Sequence, residues 1–421
     1  MRKTKYISII AALLTVTALT GCSLPGLDGN GGSKDKITIQ TNDEDATATD
    51  ALTDPNATIS SADLYQDESV NAKIDEIERY IDALFYFDTD KDCQEEAIYD
   101  GIMEGLDDPY SVYYTEEEYT ELMQEDSGEY CGIGAVVTQD ANMTVSVVRP
   151  INDSPAQEAG LMAGDIIVEV DGTQIVDQEL TLVVKMIRGE EGTTAHLKVY
   201  REGEPDYLEF DIVRRKLVNE SVTAEMLDNN IGYIQVMQFY ENTDEEFADE
   251  FTQLMENGAT GMIIDLRDNP GGLLDSVINM CDFIMEDETI VSVKDKDDKL
   301  VKAYRATDGN SVDIPMVVLV NGNSASASEI FTGAMKDTGK ATIVGTTTFG
   351  KGIVQSIIQL SDGSAIKLTV AKYFTPAGND IHQIGIVPDY VVELENGRMT
   401  AVNIDREEDL QLQKAEELLI K

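Results

Sequence analysis

Apolar positions change their period along the chain. Between residues 62 and 128 they recur every three to four residues, and Val70, Ile74, Ile77, Ile81 and Leu84 fall on one face of a predicted helix. Asp107-Asp108-Pro109-Tyr110-Ser111 breaks the helices of this region. From 129 to 216 the pattern shifts to short β-like runs, 144–148 and 195–200, punctuated by Gly and Pro. From 217 to 393 strands and helices alternate. The apolar runs 232–237 and 261–266 flank an amphipathic stretch at 243–256, and 316–320 and 341–345 flank another at 328–337. Such alternation predicts an α/β domain of the βαβ type. A charged, Leu-rich helix is expected at 406–420 within a tail from 394 to 421. No repeat of solenoid period is present.

The first residues read as a targeting segment. Arg2, Lys3 and Lys5 precede an apolar run, 6–19, that is too short for a typical spanning helix. The adjoining Leu19-Thr20-Gly21-Cys22 resembles a bacterial lipobox, in which Cys22 becomes the lipid-modified N-terminus. Residues 1–22 are therefore expected to be a lipoprotein signal peptide. The stretch 23–61, rich in Gly, Asp, Asn, Thr and Ser, is expected to be a disordered tether. The expected location is extracytoplasmic, with a lipid anchor in the bacterial cell membrane.

A length of 421 residues with 42% hydrophobic content suits two or three globular domains. The net charge of −49 repels a phosphate backbone, so a nucleic-acid partner is not expected. Cys93, Cys131 and Cys281 are widely spaced, neither CxxC nor HExxH occurs, and His196 and His382 are the only histidines. No metal or organic cofactor is implied, and the three thiols are expected to be buried and inert.

Within 129–216, Cys131-Gly132-Ile133-Gly134-Ala135 is a Gly-rich turn entering a strand. Further on, Ala159-Gly160-Leu161 is followed by Gly164-Asp165-Ile166-Ile167 and Val170-Asp171-Gly172. Together these blocks resemble a bacterial PDZ domain. The resemblance implies that Gly132, Ile133, Gly134 and Ala135 bind peptide: successive N–H groups would meet a terminal carboxylate, and the next strand offers an edge for β-augmentation.

Three later segments carry chemistry. Asp265-Leu-Arg-Asp-Asn-Pro-Gly-Gly comes after a buried strand and suits either a plain connection or one wall of an oxyanion hole. In 321–337, Ser324, Ser326 and Ser328 alternate with alanines at the start of a helix, where free N–H groups favour developing negative charge. Gly345 to Lys351 nearly matches a phosphate-binding loop. However, Gly352 stands where the magnesium-ligating Ser or Thr belongs, and residues 353–360 are strand-like, so the nucleotide reading is set aside.

In this order, and joined by 371–378 and 385–389, the segments resemble the carboxyl-terminal processing, or tail-specific, proteases of the serine–lysine class, from about Leu106 to Val392. The resemblance implies Ser326 as nucleophile, Lys351 as general base 25 residues on, and Gln355 orienting the lysine. It further implies backbone N–H groups of Gly271 and Ala327 as oxyanion donors, with Gly272 as substitute. Asp337 matches an acidic family position and is read here as support for the fold.

The histidine count agrees. His196 reads as a solvated strand residue and His382 as a turn residue, which leaves lysine as the base. To act at neutral pH, Lys351 must be desolvated, and Phe349, Ile353 and Val354 are the expected apolar neighbours. The expected fold is a multidomain α/β one: a helical N-terminal arm (62–128), a PDZ domain (129–216), an α/β serine-peptidase core with a β-rich cap (217–393) and a helical tail. The expected function is endoproteolysis near protein C-termini, with PDZ capture of the free C-terminus and a homodimer formed through the helical arm. Arg188 is a candidate reporter of PDZ docking. The alternative is a PDZ peptide-binding module on an inactive protease scaffold, which an incomplete Ser326–Lys351–Gln355 set would favour.

Overall fold

The computed structural model describes residues 68–140, 142–307, 311–394, 400–401 and 404–420. The expected signal peptide, Cys22 and the tether lie outside these residues. Two units are distinguished: Glu121–Ser221 with Tyr240–Asn242, and a larger one made of the residues up to Thr120, Val222–Phe239 and Thr243 onward.

In the smaller unit, strands Ala135–Gln139, Val145–Pro150, Ile166–Val170, Thr194–Tyr200 and Leu208–Val213 form an antiparallel sheet in that order. Alternation drives it. Along Thr194–Tyr200, Ala195, Leu197 and Val199 are buried, while His196 and Tyr200 face out. Helices Pro155–Ala159 and Leu180–Ile187 complete a core that includes Ile133, Val147, Leu161, Ile167 and Val183.

In the larger unit, the strand order is Val222–Met226, Ile231–Val236, Gly261–Asp265, Met316–Val320, Thr342–Gly345 and Tyr390–Val391. The first pair is antiparallel and the rest are parallel. Every residue of Gly261–Asp265 and Met316–Val320 is buried, as a parallel sheet covered on both faces requires. Ile264, Val318 and Ile343 face the helices Thr243–Glu256, Leu274–Ile284 and Ala327–Asp337. Ile263, Val317 and Val344 face Leu412 and Ala415 of the C-terminal helix Leu410–Leu419. That helix is pinned by a buried bridge in which Arg267 lies 2.6 Å from Asp265 and 2.8 Å from Asp409.

A second, antiparallel sheet forms the β-rich cap. Ala365–Phe374 pairs with Ile353–Gln359, Thr289–Lys294 and Val112–Tyr114, and Leu300–Arg305 extends the other side of Thr289–Lys294. The arm therefore contributes a strand as well as the helices Glu68–Leu84 and Lys91–Glu104. The thiols differ from expectation: Cys281 is buried, Cys131 partly buried and Cys93 exposed. Cys93 lies in a helix that presents most of its side chains to solvent, and no described residue buries it.

Candidate active site

The strand Met316–Val320 delivers the chain to three serines with three different fates. Ser324 Oγ accepts from the Asn321 N–H (2.9 Å) and donates to the Leu266 carbonyl (2.7 Å). Ser328 Oγ donates to the Asn269 carbonyl (2.9 Å). Both hydroxyls staple the helix start to the loop after Gly261–Asp265. Ser326 Oγ, buried between them, has no hydrogen-bond partner among the described residues. Its residue caps helix Ala327–Asp337 at φ 59°, ψ −112°, a conformation that costs an L-residue about 1–3 kcal/mol unless its surroundings enforce it.

Glu329 does the enforcing. Its fully buried carboxylate accepts four hydrogen bonds. Oε2 takes the N–H groups of Ser326 (3.0 Å) and Lys351 (2.7 Å), and Oε1 takes the Gly350 N–H (2.7 Å) and the Thr348 hydroxyl (2.6 Å). One carboxylate thus ties the serine's backbone to that of Lys351. Burial pushes its pKa above the ordinary value, against the opposing pull of these donors. Glu329 is missing from the sequence-derived set, although Ser326-x-x-Glu329 has the spacing of a capping box.

Lys351 is buried, and its pKa is lowered from 10.5 to about 8, first by burial and then by repulsion from Lys367, against the pull of Glu329 and Asp108. Ile353 and Val354 are buried beside it in sequence as expected, but Phe349 is 51% exposed and gives no such cover. An aromatic ring over the amine comes from another element. Lys351 Nζ lies 4.8 Å from the centre of the Tyr110 ring. Gln355 Nε2 donates to the Tyr110 carbonyl (2.8 Å), and Gln355 Oε1 is buried with no partner among the described residues. Lys351 leads into strand Ile353–Gln359 and not into a helix, so the apparent phosphate loop has no helix N-terminus behind it.

The loop Asp268–Gly272 forms the facing wall. A Cβ on Gly271, at φ 109°, would sit 2.9 Å from Ser326 Cβ and 3.1 Å from the Ala327 nitrogen, so only glycine lets the two loops meet. The Gly271 N–H, expected as an oxyanion donor, donates to Asn269 Oδ1 (2.8 Å) in a local Asx turn in this conformation. Gly272, at φ 143°, backs onto Phe239, whose N–H and carbonyl bond the Gly271 carbonyl (3.0 Å) and the Leu273 N–H (2.8 Å). Ala327 is the first residue of its helix. The Asp337 carboxylate accepts from the Ala377 N–H (2.9 Å) and so ties the far end of this helix to the turn after Phe374.

Neither histidine belongs to this constellation by hydrogen bonding. His196 is exposed in the smaller unit with Nδ1 2.6 Å from Asp211. His382 is partly buried, its pKa lowered by burial, and its Nδ1 has no partner among the described residues.

In the smaller unit, Gly132 ends strand Glu129–Gly132, and the Ile133 side chain is buried in the core. Ile133 therefore presents only backbone to any peptide. The Ile133 carbonyl accepts from the Ala156 N–H (2.7 Å), and the Gly134 carbonyl accepts from the Ile151 N–H (2.9 Å) and Ser154 Oγ (2.8 Å). Gly134 has φ 75°, and a Cβ there would strike Ser154. Ala135 begins an edge strand whose one neighbour in the sheet is Val145–Pro150. The Arg188 guanidinium stacks 5.1 Å from the Tyr130 ring centre.

Residues 230–392 match the model of peptidase family S41, and residues 130–212 match a PDZ domain. A carboxy-terminal-processing protease of Bartonella bacilliformis is 40% identical over 309 residues, 72% of this chain and 70% of that protein. The carboxy-terminal processing protease CtpA of Bacillus subtilis is 38% identical, over 76% of this chain and 69% of that protein. A Staphylococcus haemolyticus protein named "Probable CtpA-like serine protease" is 40% identical, and the chain spans 59% of its length. The solved photosystem II D1 C-terminal processing protease is 32% identical, covering 77% of this chain and 88% of that one at a TM-score of 0.47.

Proposed function

Because the chain belongs to the carboxy-terminal processing proteases of peptidase family S41, we propose that it is an extracytoplasmic serine endopeptidase with a Ser326–Lys351 dyad. It cuts proteins near their C-termini, and its PDZ domain holds the substrate's free C-terminus. The observation that carries this reading is the contrast among the three serines: Ser324 and Ser328 are spent on the fold, whereas Ser326 keeps a buried hydroxyl with no partner among the described residues, on a strained helix cap.

In this mechanism, neutral Lys351 takes the proton of Ser326 Oγ, and the oxygen attacks the peptide carbonyl. The N–H groups of Ala327 and Gly272 receive the developing oxyanion, since Gly271 is already committed to Asn269. The protonated lysine returns its proton to the leaving amine, and water then releases the acyl group. A pKa of about 8 leaves roughly a tenth of Lys351 neutral at pH 7 and most of it neutral at pH 9. Activity therefore rises through that window and falls about tenfold per unit below it.

Substrate capture is supported by the Gly132–Ala135 turn, whose Ile133 and Gly134 carbonyls are hydrogen-bonded within the unit, and by the edge strand after it. Membrane attachment at Cys22 and a homodimer remain parts of the proposal. For the dimer, the first arm helix exposes Ile77, Tyr80 and Leu84 along one stripe.

The test is cleavage of a protein with a free C-terminus by the full chain, by Ser326→Ala and by Lys351→Ala. Both variants are expected to fold and to lose at least about a thousandfold in rate, because the pair acts as a unit. Near-normal cleavage by either one refutes the dyad, and no cleavage by the full chain itself favours a binding module on an inactive scaffold.

A further inference from the structure

The Asp108–Ser111 turn, marked in the sequence only as a helix breaker, is built into the catalytic unit. Asp108 Oδ1 accepts from the Tyr110 N–H (3.2 Å), and Asp108 Oδ2 accepts from Ser111 Oγ (2.6 Å) and Thr369 Oγ1 (2.7 Å). Ser111 Oγ accepts from the Thr369 N–H (3.1 Å), and the next residues, Val112–Tyr114, pair with Ala365–Lys367 of the cap. Tyr110 is thus fixed on both sides. Its ring lies over the Lys351 amine and its carbonyl holds the Gln355 carboxamide.

We infer that Tyr110 is a positioning residue of the peptidase site: its ring covers Lys351 and its carbonyl sets the orientation of Gln355. The inference rests on Lys351 being the base. The ring acts on the amine in two opposite ways. It keeps water away, which disfavours the ammonium, and it offers a π face, which favours it. The other groups acting on Lys351 are Lys367 from the cap strand, which disfavours the ammonium, and Glu329 and Asp108, which favour it. Burial raises the pKa of the Tyr110 phenol above its ordinary value.

Three side chains separate the two effects. Tyr110→Phe keeps cover and π face. Tyr110→Leu keeps cover alone. Tyr110→Ala keeps neither. All three retain the backbone carbonyl that holds Gln355.

The experiment measures how fast a fluorophosphonate probe labels Ser326 in the full chain between pH 6 and 10.5, with folding checked by circular dichroism. The acid limb should be unmoved in Tyr110→Phe and should fall by about half a unit in Tyr110→Leu. In Tyr110→Ala it should rise by at least about one unit, with labelling at pH 7 at least about tenfold slower. An unmoved limb in both the Leu and Ala variants overturns the inference; if the Ala variant is unfolded, an unmoved limb in Tyr110→Leu does so alone. Lys351→Ala runs beside them. Labelling of that variant at the wild-type rate overturns the dyad itself, whereas a dead Lys351→Ala with unmoved Tyr110 limbs overturns only the role of Tyr110.

Discussion

A buried base that must be neutral to work is a burden on the fold, and replacing it should stabilise the protein. Lys351 is 3% exposed, and its pKa falls from 10.5 to about 8 on folding. Below pH 8 both folded and unfolded states carry the charge, and the folded state bears the full penalty. Between pH 8 and 10.5 the folded lysine releases its proton first, so the unfolded state binds more protons and stability rises with pH. Above 10.5 the penalty is gone. At 1.36 kcal/mol per unit, the full difference is about 3 kcal/mol. Lys351→Met has nearly the same shape and no charge. At pH 7 it should therefore be about 3 kcal/mol more stable than the parent, with the gap closing toward zero by about pH 10.5. The measurement is pulse proteolysis in urea at a series of pH values, with both chains carrying Ser326→Ala to prevent self-digestion and the peptidase unit followed as its protected fragment. No gain at pH 7, or a gain constant from pH 7 to 10.5, refutes the assignment of Lys351 as a desolvated amine.

Three other substitutions probe the frame around it. Glu329→Gln replaces one of two fully used carboxylate oxygens with an NH₂ that faces an N–H donor; an orphaned donor and lost charge assistance should cost about 2–4 kcal/mol in thermal or urea unfolding and at least about a hundredfold in Ser326 labelling. Gly272→Ala places a Cβ 2.1 Å from the Phe239 carbonyl oxygen at φ 143°, so the loop must move away from Ala327, and cleavage should fall by at least about a hundredfold. Asp409→Ala leaves the buried Arg267 with one carboxylate partner, costs about 3–5 kcal/mol, and should appear as faster hydrogen exchange throughout Leu410–Leu419.

The elements were legible in the chain alone. Periodicity placed the helix at 243–256 and the strand at 316–320, and the first arm helix, the PDZ strands and the final helix lie within a few residues of their predicted positions. Local hydrophobic pattern decides such elements. Ser326, Lys351, Gln355, Gly271 and Ala327 were picked out by family resemblance at fixed spacings, but spacing could not say what each atom touches. Tertiary structure engaged Ser324 and Ser328 elsewhere and left the Ser326 hydroxyl without a partner among the described residues. It also turned the Gly271 N–H onto Asn269 and left Phe349 half exposed. Cover for Lys351 came from Tyr110, which precedes Gln355 by 245 positions and reaches the site because Val112–Tyr114 pairs into the cap sheet. Glu329 shows the limit most clearly. Its spacing from Ser326 announces a helix cap, which is a local fact. Its hold on Lys351 and Gly350 exists only because the strand from Met316 and the strand from Thr342 lie side by side and send their loops to the same end of the sheet. Local pattern fixes elements through short-range sterics and burial. The protonation and reactivity of a site depend on burial and charge summed over neighbours distant in sequence, and the fold alone brings those together.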